Sequence, residues 1–190
     1  MSSFERILLK DGSSITVRAL VAADELALHS FLAGLCLEAQ RLRFFSAAAN
    51  IDYAAHLGAA ADQQHFGLIA CDAAGLIVGH VTYAELDRES AEVAVEVADN
   101  LHGQGLGTIL LARLAAIAEE RGIIRFIAEV LPENREMLQV FRDGFGARVA
   151  FREGTDAVEF ATASWRLCDE RFGGHSAAVP QVLTSPRSSA

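Results

Sequence analysis

The sequence predicts an α+β fold: a mixed, mostly antiparallel central sheet flanked by helices, with one strand–helix–strand unit set into it. Three observations lead there. The runs "HFGLIACD", "GLIVGHVTYAEL" and "SAEVAVEVAD" (residues 65–72, 75–86 and 90–99) read as strands, and the linkers between them are short enough for antiparallel hairpins. The segment "VADNLHGQGLGTILLARLAAIAEERG" (97–122) sets glycines at 103, 105 and 107 before a long apolar-periodic helix, and the strand-like "IIRFIAEV" (123–130) follows it. Helical spacing also fills the stretch between the first strands and the meander.

Composition bounds this fold. With 190 residues, 52% of them apolar, the chain suffices for one well-packed domain, expected over residues 1–170. Residues 171–190 are Gly-, Ser-, Ala- and Pro-rich and read as a mobile tail. No run approaches eighteen apolar residues and the first residues carry no secretion signal, so a cytoplasmic protein with no membrane partner is expected. Cys36, Cys71 and Cys168 are far apart and form no ligand pattern, which predicts free thiols and no metal site. The formal net charge of −9 disfavours nucleic acid.

In order, "RILLKDGSSITVRAL" (6–20) is a β-hairpin around Asp11-Gly12, with Ile15 and Val17 on one face of its second strand. Asp24 is a candidate N-cap for a helix carrying Leu28, Phe31, Leu32 and Leu35, and "LEAQRLRFFS" (37–46) is a second short helix with Leu42 and Phe45 inward. The three-strand meander comes next. The long helix has Leu106, Ile109, Leu110, Leu114 and Ile117 on one side and ends at Gly122; the strand after it is expected to be parallel to the strand before it. A last helix with Met137, Leu138 and Phe141 follows Pro132, and "ARVAFRE" (147–153) and "AVEFATASW" (157–165) close the sheet.

Glycines that bare the start of a helix expose its unpartnered N–H groups and its partial positive charge, a site for a phosphate. A P-loop needs Lys and Ser/Thr directly after its last glycine, and Gly107 is followed by Thr108-Ile109. A dinucleotide fingerprint needs an acidic residue at the end of the next strand; here Glu119 and Glu120 fall on the helix. A pyrophosphate on a βα turn remains. The segment His102-Gly103-Gln104-Gly105-Leu106-Gly107 resembles the signature of the GNAT superfamily of acyl-CoA-dependent N-acyltransferases, with His102 where that family usually has Gln or Arg. The strand order of residues 5–166 also looks like that fold. Within the superfamily, "AEVAVEVADNLHGQGLG", "RLRFFS" and "IAEVLPENREML" are most similar to the catalytic domain of bacterial protein lysine acetyltransferases. In those, a cyclic-nucleotide sensor or a synthetase-like region often flanks the catalytic domain, and neither is expected to fit this length.

The resemblance implies acetyl-CoA as cosubstrate, held at its pyrophosphate by the backbone of Gln104, Gly105, Leu106, Gly107 and Thr108 and along its pantetheine arm by Val95, Glu96 and Val97. It also places the catalytic glutamate at Glu92 and a pantetheine-contacting asparagine at Asn134, which is equally placed to cap the last helix. Glu92 and Glu96 share a strand face, roughly 13 Å apart by strand rise, too far for a carboxylate dyad. A base is useful because a lysine-like amine is neutral in only about one molecule in a few thousand at pH 7. Backbone N–H near Val97 is the candidate donor to the thioester oxygen if the strand bulges or splays. Many family members carry a tyrosine acid in the last helix; here the matching position is Phe141, so no side chain there protonates sulfur. Tyr83 reads as an ordinary strand aromatic, His29, His56, His65 and His80 show no metal spacing, and "RLRFF" reads as helix surface beside a Phe44-Phe45 core pair.

The expected reaction is direct transfer of acetyl to a primary amine in a ternary complex. The acceptor is a protein lysine, with a small-molecule amine as runner-up. A non-catalytic acyl-CoA-binding module is the competing class, and a homodimer is left open.

Overall fold

The computed structural model describes residues 4–45, 50–59 and 64–172. Eight strands form one sheet: β1 (Phe4–Leu8), β2 (Ser14–Ala19), β3 (His65–Cys71), β4 (Ile77–Glu85), β5 (Ser90–Val97), β6 (Arg125–Val130), β7 (Arg148–Arg152) and β8 (Thr155–Ala161). Their order is β1-β2-β3-β4-β5-β6-β8-β7. The β5–β6 ladder is parallel and the other described ladders are antiparallel. The mixed, mostly antiparallel α+β architecture expected from the sequence is therefore the one observed.

One face of the sheet is covered by α4 (Leu106–Glu120), α5 (Arg135–Gln139), the π-helical turn Val140–Gly144 that continues α5, and α6 (Trp165–Phe172). Leu68, Val81, Tyr83, Leu110, Leu114 and Phe126 are fully buried there. The other face carries α1 (Glu25–Gly34), α2 (Leu37–Phe44) and α3 (Ile51–Ala59) around a smaller core of Leu20, Leu28, Leu32, Leu35, Ala55 and Ile69.

Several details differ from the sequence expectation. Three helices, not two, separate β2 from β3; α3 is held to α1 by His29 on Asp52 at 3.1 Å and His56 on Glu25 at 3.2 Å, contacts across more than twenty residues that periodicity does not encode. Phe45 does not point inward: it ends α2 in a left-handed conformation (φ 56°) and is 44% exposed, while Phe44 packs on the smaller core. The last strand stops at Ala161, and Trp165 starts α6, whose indole N–H donates to Glu119 at 2.8 Å. Finally, α4 is buried nearly all round from Leu110 to Ala118 because α6 and the Thr162–Ser164 turn pack on it in addition to the sheet. Its alanines at 112, 115, 116 and 118 permit that close packing.

Gly122 ends α4 as expected, with φ 88° and Ile123 N–H donating to Ala118 O at 2.9 Å. Asp24 caps a preceding turn rather than α1: its carboxylate accepts from Val21 N–H and from both Arg18 Nη atoms, at 2.6 and 2.7 Å. The tail expected from residue 171 lies outside the described residues apart from Arg171 and Phe172, the end of α6.

Candidate active site

Two irregularities in otherwise regular structure make the site. The first is the chain between β5 and α4. After a short turn (Asp99–Leu101) the backbone passes through Gly103 (φ 73°) and Gly105 (φ 88°), conformations that cost a side-chain-bearing residue about 1–2 kcal/mol. Gln104 N–H closes onto Leu101 O at 3.3 Å, whereas the N–H groups of Gly105, Leu106, Gly107 and Thr108 meet no backbone acceptor among the described residues. They converge at the positive end of a 15-residue helix, a place for an anion. Gly107 is helical, and a Cβ there would stand 3.6 Å from Val97 Cγ2, in ordinary contact with the end of β5.

The second irregularity is a split in the sheet. β5 and β6 pair only from Ser90–Arg125 to Glu92–Ile127. Beyond that, β5 stays with β4 as far as Val97–Gly79, and β6 stays with β8 as far as Val130–Asp156. The two strands therefore separate directly after Glu92. Even-numbered residues of β5 direct their backbone groups to β4, as the flanking bonds Leu86 N–H to Ser90 O and Ala98 N–H to Val78 O show. By strand alternation the N–H and C=O of Val95 and the N–H of Val97 face the gap. The Val97 carbonyl is taken by His102, whose Nε2–H donates to it at 3.0 Å. That bond gives the histidine of the glycine segment a defined place, tying the turn to the strand end. No register shift accompanies the split: β5 separates by splaying, not by a bulge.

A cleft of roughly 1570 Å³ runs from the glycine turn along this gap to Glu92, walled by α2 on one side and by α5 on the other. Asn134 lies on it and also caps α5, its Oδ1 accepting from Met137 N–H at 3.2 Å. Phe141 borders the cleft but is 2% exposed and stacked 5.5 Å from Phe160, with no proton to give. Tyr83 is away from it, packed between Phe66 and Phe126 with Arg121 donating to its hydroxyl at 3.2 Å.

The two strand glutamates have opposite environments. Glu92 is exposed at the mouth of the cleft, and its carboxylate has no hydrogen-bonding or ionic partner among the described residues. Glu96 is 6% exposed; Arg43 of α2 binds its Oε1, and His80 of β4 donates from Nδ1 to its Oε2 at 2.8 Å. Burial alone pushes the Glu96 carboxyl up, but the charges of Arg43 and His80 outweigh it and bring it down to about 2. Glu96 is thus a strut held ionised at neutral pH. Sequence reading missed Arg43 as its partner, taking it for helix surface. The signal is there in hindsight: a glutamate between valines on an apolar strand must be exposed or paired, and a paired one needs a cation from another element. Among the described residues no cluster of three or more His, Cys, Asp or Glu could hold a metal ion, and no helix is long and apolar enough to cross a membrane.

With a glycine-built anion turn at one end of a split parallel pair, residues 35–146 match the acetyltransferase (GNAT) family, and the chain belongs to that family. It is 33% identical over 98 residues to the acetyltransferase Pat of Mycolicibacterium smegmatis, a match covering 52% of this chain and 27% of that one, so it spans about a quarter of that relative's length. Among solved structures it is similar to the GNAT domain of S. lividans PAT (32% identity, TM-score 0.75, 83% of this chain and 96% of that one). The fold is shared with a spermidine N-acetyltransferase from Vibrio cholerae in complex with CoA and spermine (19% identity, TM-score 0.60, 80% of this chain and 98% of that one). GNAT acetyltransferases use acetyl-CoA.

Proposed function

We propose that this chain transfers acetyl from acetyl-CoA to a primary amine on a protein lysine, with Glu92 as the base. The observation that carries the proposal is the split after Glu92, which leaves one unpartnered carboxylate beside an open strand edge that leads back to the anion turn. In this reading the N–H groups of Gly105 to Thr108 bind the diphosphate, and Val97, Val95 and the amide of Asn134 take the pantetheine arm as an added strand would. Glu96 and His102 keep the end of β5 in place. When bound, the cosubstrate supplies the activated acetyl group; the chain orients it and manages charge and protons.

Val95 N–H is the open donor nearest Glu92 and is aimed where the thioester oxygen gains charge. Three residues of strand separate the two, about 10 Å, so the amine proton reaches Glu92 through water. The thiolate, with a free-thiol pKa of about 8.5, leaves without a side-chain acid, in keeping with Phe141.

The lysine assignment draws support from the likeness to Pat and to the S. lividans GNAT domain. The cleft lining agrees with a cationic acceptor: Glu129 lines it together with Glu92, and Glu38 and Glu133 lie there beside Arg41. Acetyl-CoA incubated with a lysate, with and without the protein, followed by mass spectrometry of acetylated peptides, tests this directly. New lysine acetylation, absent with Glu92→Gln, is expected. CoA release with polyamines and none with any protein would overturn the protein-lysine assignment.

A further inference from the structure

We infer that Lys10 is the side-chain cation this chain brings to the diphosphate of its acyl donor; the inference rests on the acetyl-CoA reading above. Lys10 is the single lysine of the chain, beside fifteen arginines. It lies in the turn of the first hairpin, 93 residues before Gly103, yet its Nζ donates to Gly103 O at 3.4 Å, and a Cβ added to Gly105 would stand 3.8 Å from its Cε. The side chain is therefore laid over the backbone that presents the free N–H groups.

The placement is built. Glu5, at the other end of β1, accepts from Arg113 Nε at 2.9 Å and from its Nη2 at 2.7 Å, while Ile7 and Leu9 are buried in the core that also holds Leu106 and Leu110. Five residues of extended chain from Glu5 to Lys10 span about 17 Å, and the eight residues back along the helix from Arg113 to Gly105 about 12 Å, so the hairpin turn arrives at the helix start. The turn is itself fixed: Asp11 Oδ1 accepts from Ser13 N–H at 2.8 Å and Leu9 N–H donates to Ser13 O at 2.9 Å.

Charge points the same way. Of the cations on the cleft, Arg43 is neutralised by Glu96 and Arg113 by Glu5. His102 is engaged with Val97 O and lies 4.0 Å from Glu136. Lys10 and Arg135 have no carboxylate partner among the described residues, and Arg135 is on α5, beside Asn134, while Lys10 is the one in contact with the glycine turn. Its ammonium has three donors and a single long bond to a carbonyl, which leaves it free to take a phosphate oxygen. In a protein of net charge −9, a polyanionic ligand meets repulsion that the helix dipole, about half a charge, offsets only in part; one full charge at the turn complements it.

Titration calorimetry with acetyl-CoA and its 3′-dephospho analogue, on wild type, Lys10→Met and Lys10→Arg, separates the possibilities. Lys10→Met is expected to weaken both ligands about fivefold at low salt, with a smaller loss at high salt and an unchanged Tm, and Lys10→Arg to bind as wild type. Wild-type affinity in Lys10→Met overturns the inference. So does a loss seen with acetyl-CoA and absent with the dephospho analogue, since the contact is then to the 3′-phosphate. A wild-type protein that binds neither ligand refutes the acetyl-CoA reading itself, a result distinct from either of these.

Discussion

Glu92 and Glu96 sit on one face of one strand and differ in every physical respect that matters to proton transfer. The first is solvated and unpartnered; the second is buried and held ionised by Arg43 and His80. Glu92→Gln should lower kcat by about a hundredfold or more while leaving acetyl-CoA affinity as it was, and unchanged kcat in steady-state kinetics would remove Glu92 from the mechanism. Glu96 acts on stability. Its carboxyl titrates near 2 in the folded chain against an ordinary value of 4.5, so its contribution is complete above pH 4.5 and is lost as pH falls toward 2. Denaturant melts across that window should show wild type losing stability that Glu96→Gln does not lose; equal acid slopes would contradict the pairing. Arg43→Met leaves the buried carboxylate with His80 alone and should cost about 3 kcal/mol at pH 7. Family likeness singled out Glu92 in the sequence, while strand periodicity set it on one face with Glu96 and did not separate their environments. The role of Arg43 was not, because the pairing joins residues 53 apart in sequence.

The elements that periodicity identified are those whose packing follows their own pattern: the first hairpin, the meander, α4 and the strand after it. Those it missed, α3 and α6, depend on contacts between elements, His29 of α1 with Asp52 and His56 of α3 with Glu25 in one case and Trp165 and Arg166 with Glu119 in the other. The burial of α4 around most of its circumference escaped notice for the same reason. Close approach of α4 to the sheet is set by Gly79, where a Cβ would lie 2.9 Å from Leu110 Cδ1 and 3.3 Å from Leu106 Cδ2. Gly79→Ala should therefore destabilise the protein by about 1–3 kcal/mol in denaturant unfolding and weaken acetyl-CoA binding by shifting the helix start; a fully neutral variant would show that the contact is slack. Gly105→Ala tests the turn itself. At φ 88° the strain of about 1–2 kcal/mol should lower Tm by a few degrees and, by distorting the turn, cost about ten times in acetyl-CoA affinity, read by calorimetry.

At the scale of the molecule, the proposed site lies where regular structure stops: a sheet that opens because β5 and β6 follow different partners, and a helix that starts on glycines. Glycine spacing announced the helix start in the sequence. The split was foreseen only as a condition near Val97, and the structure places its onset directly after Glu92, since ladder lengths depend on what β4 and β8 offer each strand. The central claim is that both ends of this opening serve one reaction, binding at the turn and proton removal at Glu92. Its most direct test is CoA release from acetyl-CoA in the presence of a lysine-bearing acceptor protein, measured for wild type and Glu92→Gln alongside their acetyl-CoA affinities. Equal binding by both proteins is expected, with turnover by Glu92→Gln lower by about a hundredfold or more; wild-type turnover by Glu92→Gln would contradict it.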